Sequence, residues 1–164
     1  MRNEQAAKLA IEKYADMVRR LCFVHLKNHH DAEDIFQDVF LKYVLCDTEF
    51  QSDTHEKAWL IRVTINACRD TLKSFFRKKT SSFEDLLYEP VYIDDSKKEV
   101  LDAVLKLPDK YKDVVYLFYF EGYSALEISA MLKRKENTIY TWLSRAKALL
   151  KISLGGEFFE QQNF

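Results

Sequence analysis

DAEDIFQDVFLKYV at 31–44 and EKAWLIRVTINACRDTLKSFFRKK at 56–79 decide how this chain folds. Both carry apolar residues at helical spacing, the first on an acidic background and the second on a basic, aromatic one. In the first, Ile35, Val39 and Leu41 are expected to face the core, with Glu33, Asp34, Gln37 and Asp38 outward. Phe36, Phe40 and Tyr43 then supply more aromatic surface than one buried face needs. Acids mixed with exposed phenylalanine suit an interface with a basic protein partner. Helix-dipole complementarity is the competing explanation, and it covers Glu33 and Asp34 better than Asp38.

Projecting 55–79 at about 100° per residue puts Trp59, Arg62, Asn66, Arg69, Lys73 and Arg77 in one narrow stripe. Leu60, Ile61, Ala67, Cys68, Leu72 and Phe75 fall opposite, with Thr64 and Thr71 among them. Cations that track a backbone, an indole that stacks and an amide that reads a base edge suit unpaired or opening nucleic acid. The alternative is a solvated charged face. Only Asp70 lies near the stripe, however, so ion pairs within the helix do not account for it.

Three glycines and two prolines in 164 residues are too few for the turns of an all-β fold. The fold expected is all-α: two small helical domains, residues 1–79 and 97–154, joined by an acidic linker at 80–96 and followed by a tail at 155–164. The net charge of −1 hides a pattern. Residues 1–80 carry 14 basic and 12 acidic side chains, 81–96 carry five acids and no base, and 97–164 carry 11 basic and nine acidic. Two weakly basic blocks thus flank an acidic connector, which leaves nucleic-acid binding open, since local fields govern encounter. Cys22, Cys46 and Cys68 form no close-spaced pair, and the polar start MRNEQAAKLA has no secretory core, so reduced thiols in a cytoplasm are expected. The longest apolar run, VVYLFYF at 114–120, is too short to span a bilayer.

Residues 4–28 read as one helix or two, closed by His29–His30, with Asp31 as the next N-cap and Asp34 three residues on as in a capping box. A polar loop covers 46–54. After the linker, 97–107 is helical, Pro108 takes the first position of the next helix, and Gly122 stops it. Ser124 caps a short helix to Leu132, and 137–154 forms the last one. A short helix, a tight turn and a longer helix make a helix-turn-helix. On the last helix Ile139, Leu143, Ala146 and Leu150 share a packing face, flanked by Trp142 and Leu149. Asn137, Tyr140, Thr141, Ser144 and Arg145 share a polar face suited to base edges and phosphates in a major groove. Lys133, Arg134 and Lys135 in the turn would neutralise phosphates. A plain helical hairpin with a solvated face is the competing reading. Cys22, His25 and His29 have helical metal-ligand spacing, but a buried cysteine beside a polar helix end is the commoner case, and no metal or cofactor is assigned. No phosphate loop, catalytic triad or paired-cysteine finger is present, and nothing asks for enzymatic activity.

Four stretches resemble the sigma-70 family of bacterial RNA polymerase sigma factors, in particular its small extracytoplasmic-function (ECF) group. DAEDIFQDVFLKYV at 31–44 is similar to the family's D-A-E-D-hydrophobic-hydrophobic-Q-[DE]-hydrophobic-F signature in region 2, and AWLIRVTINACRD at 58–70 to its W-L-x-x-I-A-x-N-x-x-x-D pattern. LPDKYKDVVYLFYFEGYSALEIS at 107–129 resembles the entry to region 4, and TIYTWLSRAKALL at 138–150 its recognition helix. The match runs in order over roughly 8–152. The resemblance implies a promoter-specificity subunit. Asp34, Gln37, Asp38 and Phe40 would contact the β′ clamp helices of core polymerase. Asn66 would sit near the flipped base of the −10 element, with Arg62, Arg69 and Lys73 where the helix meets promoter DNA; the stripe read above adds Trp59 and Arg77 to the −10 contacts. Arg145 and its neighbours, Thr138 included, would read the −35 element. The β flap and an anti-sigma factor are further partners common in the family, although no residue here identifies the latter. Lys133, Arg134 and Lys135 depart from the usual turn residues, with Asn137 taking over the cap. Tyr140, Trp142 and Lys112 also depart from the pattern. A stand-alone helix-turn-helix regulator using only 97–154 is the main alternative.

Overall fold

A computed structural model describes residues 1–26, 28–78 and 95–155, with backbone alone for 75–78, 95–98 and 101. Most of the expected linker and tail, and the side chains of Phe75 and Arg77, lie outside the described residues. At the linker's far edge, Asp95 and Ser96 already belong to a helix. The fold is all-α, and the chain divides into two compact units, Met1–Glu89 and Pro90–Phe164.

The first unit packs α1 (Glu4–Leu26), α2 (His29–Leu45) and α3 (Asp53–Lys78) against one another. Tyr14, Met17, Val18, Leu21 and Cys22 line the inner face of α1, Ile35, Val39 and Tyr43 that of α2, and Leu60, Ile61, Ile65 and Cys68 that of α3. Fully burying such a side chain stabilises the fold by about 1.5–3 kcal/mol. Thr64 is fully buried, and its hydroxyl donates to the Leu60 carbonyl at 2.7 Å, which satisfies that buried group within the helix. The α1–α2 boundary differs from the sequence reading. Asn28 is the N-cap of α2, its side chain accepting from the amides of His30 and Asp31, so His29 and His30 open this helix instead of closing the previous one. Ser52 similarly starts α3, accepting from the His55 amide at 3.1 Å.

The second unit contains α4 (Asp95–Leu105), α5 (Asp109–Val115), α6 (Ala125–Leu132) and α7 (Glu136–Leu154), with α4, α5 and α6 all packed on α7. Ala103, Val104, Leu107, Tyr111, Val115, Ala146 and Leu150 form a shared core. Pro108 is the N-cap of α5, so the helix starts at Asp109, one position later than expected. The run Tyr116–Phe120 widens into a π-helical turn, closed by the Glu121 amide on the Tyr116 carbonyl at 3.1 Å. Gly122 then reverses the chain at φ 75°, a conformation that glycine adopts without steric cost. Ser124 caps α6 by accepting from the Glu127 amide at 3.2 Å.

Candidate nucleic-acid interface

Burial of Leu60, Ile61, Ala67 and Cys68 fixes the rotation of α3 and turns the opposite stripe outward. Asn66 and Lys73 are exposed, and Arg62 and Arg69 half-buried. Trp59 is also half-buried, because the indole packs edge-on to Tyr43 (ring centroids 6.2 Å apart) and Phe50 (5.7 Å). It therefore anchors the stripe's start while staying partly exposed. Phe50 belongs to the polar stretch 46–52 between α2 and α3, a segment the sequence reading left as a plain loop. One aromatic residue, Phe50, among polar ones is the signal that could have found it. The stripe offers cations for phosphates, an amide for a base edge and an aromatic stacking surface at one end.

The acidic face of α2 is partly as expected. Asp34, Gln37 and Asp38 are exposed. With the helix starting at His29, Asp34 and Asp38 lie beyond the first turn, where the helix dipole has little effect. Glu33 instead pairs with Arg19 at 3.3 Å, and the Arg19 guanidinium lies over the Phe36 ring. Phe40 corrects the expectation. It is 5 % exposed and packs with Phe36 at 4.9 Å, so it supports the acidic face from inside and offers no contact surface of its own. Leu41, expected in the core, is 57 % exposed. Two residues past the buried Val39, it is rotated about 200° around the helix.

In the second unit, the turn before α7 is held by Lys133 in the left-handed conformation (φ 55°, ψ 48°) and by the Arg134 amide on the Ser129 carbonyl at 3.0 Å. Lys133, Arg134 and Lys135 are all exposed. Lys135 occupies the N-cap of α7 without a side-chain bond, and Asn137 lies inside the helix, so it does not cap. Ile139, Leu143, Ala146 and Leu150 are buried as expected, which leaves Asn137, Tyr140, Thr141, Ser144 and Arg145 exposed and Thr138 half-buried. The Thr141 hydroxyl donates to the Asn137 carbonyl at 2.9 Å and keeps acceptor capacity outward. Arg134 and Lys110 flank the Trp142 ring at 5.9 and 5.7 Å. Lys110, which the sequence reading passed over, adds a cation beside this face. A protruding polar helix behind a cationic turn has the shape and charge to enter a major groove.

Among the described residues no cluster of His, Cys, Asp and Glu could hold a metal ion, and no helix is long and apolar enough to cross a membrane.

Comparisons with known proteins match both units. The sigma-70 region 2 family matches residues 10–86, and the sigma-70 region 4 family residues 97–150. The ECF RNA polymerase sigma factor SigW of Bacillus subtilis is 27% identical over 161 residues, covering 88% of this chain and 86% of SigW. The ECF RNA polymerase sigma factor SigM of Mycobacterium tuberculosis is 29% identical over 163 residues, covering 92% of this chain and 82% of SigM. Among solved structures, the sigma factor RpoE of Bartonella quintana, in complex with the anti-sigma factor NepR, superposes with a TM-score of 0.71 at 22% identity. The match covers 90% of this chain and 95% of RpoE. At that identity the likeness speaks for the fold.

Proposed function

The chain belongs to the sigma-70 family of RNA polymerase sigma factors, in the ECF group, and we propose that its work is divided among three surfaces of the two units. As a sigma factor it serves transcription initiation by giving RNA polymerase its promoter specificity. On this reading residues 1–79 act as region 2, residues 80–96 as a linker and residues 97–154 as region 4. Asp34, Gln37 and Asp38 contact the β′ clamp helices of core polymerase, with Phe40 holding that face from within. The exposed face of α7 and the cationic turn before it read the −35 element as duplex in the major groove. The α3 stripe captures unstacked bases of the −10 element.

Opening then follows from differential binding. If Asn66 and its neighbours bind extruded bases better than paired ones, the melted state gains free energy relative to the duplex. None of these roles requires the chain to make or break a covalent bond. Polymerase holds both DNA-reading units near one promoter, so two weak contacts act as one tight one when the linker spans them. The reading places the protein in the cytoplasm with polymerase and the chromosome. An anti-sigma factor, the kind of partner bound to RpoE, is a further partner to test by co-purification.

The observation that carries the reading is Asn66, an exposed amide in a cationic stripe on a helix whose other face is buried. Its test is Asn66→Ala on a promoter mapped by run-off transcription. The variant is expected to co-purify with core polymerase as the wild type does, yet to lose permanganate reactivity of −10 thymines by roughly tenfold or more, the scale of one lost base-specific contact. Unchanged footprints would contradict the assignment.

A further inference from the structure

The stretch 46–52 lacks regular structure yet is held by one side chain distant in sequence. Asn3 starts α1 by accepting from the Ala6 amide at 2.8 Å, which places Arg2 just ahead of a fixed helix. The Arg2 backbone amide donates to the Val44 carbonyl at 2.8 Å. Its guanidinium forks: Nη1 donates to the Cys46 carbonyl at 2.7 Å and to Cys46 Sγ at 3.3 Å, and Nη2 donates to the Thr48 carbonyl at 2.5 Å. The same guanidinium lies 4.5 Å from the centroid of Tyr43 and 4.8 Å from that of Phe50, two nearly parallel rings. Phe50 packs in turn on Trp59, where the α3 stripe begins. Thr48, Glu49 and Gln51 remain exposed.

We propose that Arg2 is a positioning residue for promoter recognition: it clasps the 46–52 stretch against the start of the α3 stripe, so that a captured strand meets a preformed polar edge beyond Trp59. This deepens the proposed role of α3 and rests on it. A loop with two inward carbonyls and one packed ring has few other conformations, so its exposed side chains meet bases without paying again for ordering. The forked geometry requires arginine. A lysine reaches one carbonyl and keeps the ring contact, but its ammonium cannot span both carbonyls with fixed donors.

The test is transcription of a fragmented genomic DNA pool by core polymerase with wild-type, Arg2→Ala or Arg2→Lys chain, with start sites sequenced. Arg2→Ala is expected to relax base preference in the −10 window by roughly tenfold, the scale of one or two charge-assisted hydrogen bonds. Preference in the −35 window and co-purification with polymerase should stay at wild-type levels, and Arg2→Lys should recover part of the −10 preference. An Arg2→Ala profile identical to wild type would overturn the clasp. So would equal loss in both windows, or a fall in helical circular dichroism, since either marks a merely structural role. If the wild-type chain directs no start sites at all, the sigma-factor reading beneath the proposal fails first, and the proposal with it.

Discussion

Lys133 holds the turn of the helix-turn-helix at φ 55°, where a side chain is strained and glycine is not. Lys133→Gly is expected to stabilise the second unit by about 0.5–1 kcal/mol, raising the thermal midpoint by a few degrees. The same substitution removes a cation from the proposed DNA face, so the slope of log affinity against log salt for promoter duplex should fall by about one. A midpoint that drops would show that the lysine side chain holds the turn in some other way. Single residues also mark where sequence reading stopped. Asn66, Lys73 and the polar face of α7 were legible, because buried neighbours at helical spacing fix which side looks out. Phe40 and Leu41 were exchanged, because two adjacent apolar residues after Val39 look equally suited to a core until the wheel angle, about 100° for one and 200° for the other, is applied.

Among the elements, α2 carries the polymerase contact in this account. Asp38 is exposed and beyond reach of the helix dipole, so reversing its charge tests the interface without disturbing the cap at Asn28. Asp38→Arg is expected to weaken co-purification with core polymerase by roughly tenfold while leaving thermal stability within about 0.5 kcal/mol. Unchanged co-purification would remove Asp38 from the interface. The ends of the elements were the least legible part. Asn28 competes with Asp31 for the same cap, and both are good cap residues; the Asn28 side chain takes the His30 and Asp31 amides, which sets the earlier start. Holding the three helices of the first unit together is Glu56, which accepts from Tyr14 at 3.2 Å and from Tyr43 at 2.5 Å. Burial, with Glu56 beside them, pushes both phenols above the ordinary tyrosine value of 10.0. The folded state therefore keeps these protons after the unfolded chain has begun to release them. Their contribution is full below about pH 10 and is lost as pH rises through the folded value. Chemical denaturation should show stability falling above about pH 10, with a shallower fall in Tyr43→Phe. Equal slopes in the two proteins would contradict this.

At the scale of the whole molecule, two units each build a separate core and turn a basic surface outward, and the chain's near-zero net charge conceals both. The division into two helical blocks was readable from glycine and proline scarcity and from the acidic stretch between them. The Arg2 clasp was not readable, since its partners lie more than 40 positions away and meet only through packing of α1 on α2. The central claim is that these surfaces work through polymerase. Its most direct measurement is transcription of a fragmented genomic pool by core polymerase with and without this chain, alongside duplex binding by the chain alone. The account predicts discrete chain-dependent start sites, each preceded by paired −35 and −10 sequences, and weak duplex binding without polymerase. No chain-dependent start sites, together with tight and specific duplex binding by the chain alone, would contradict it.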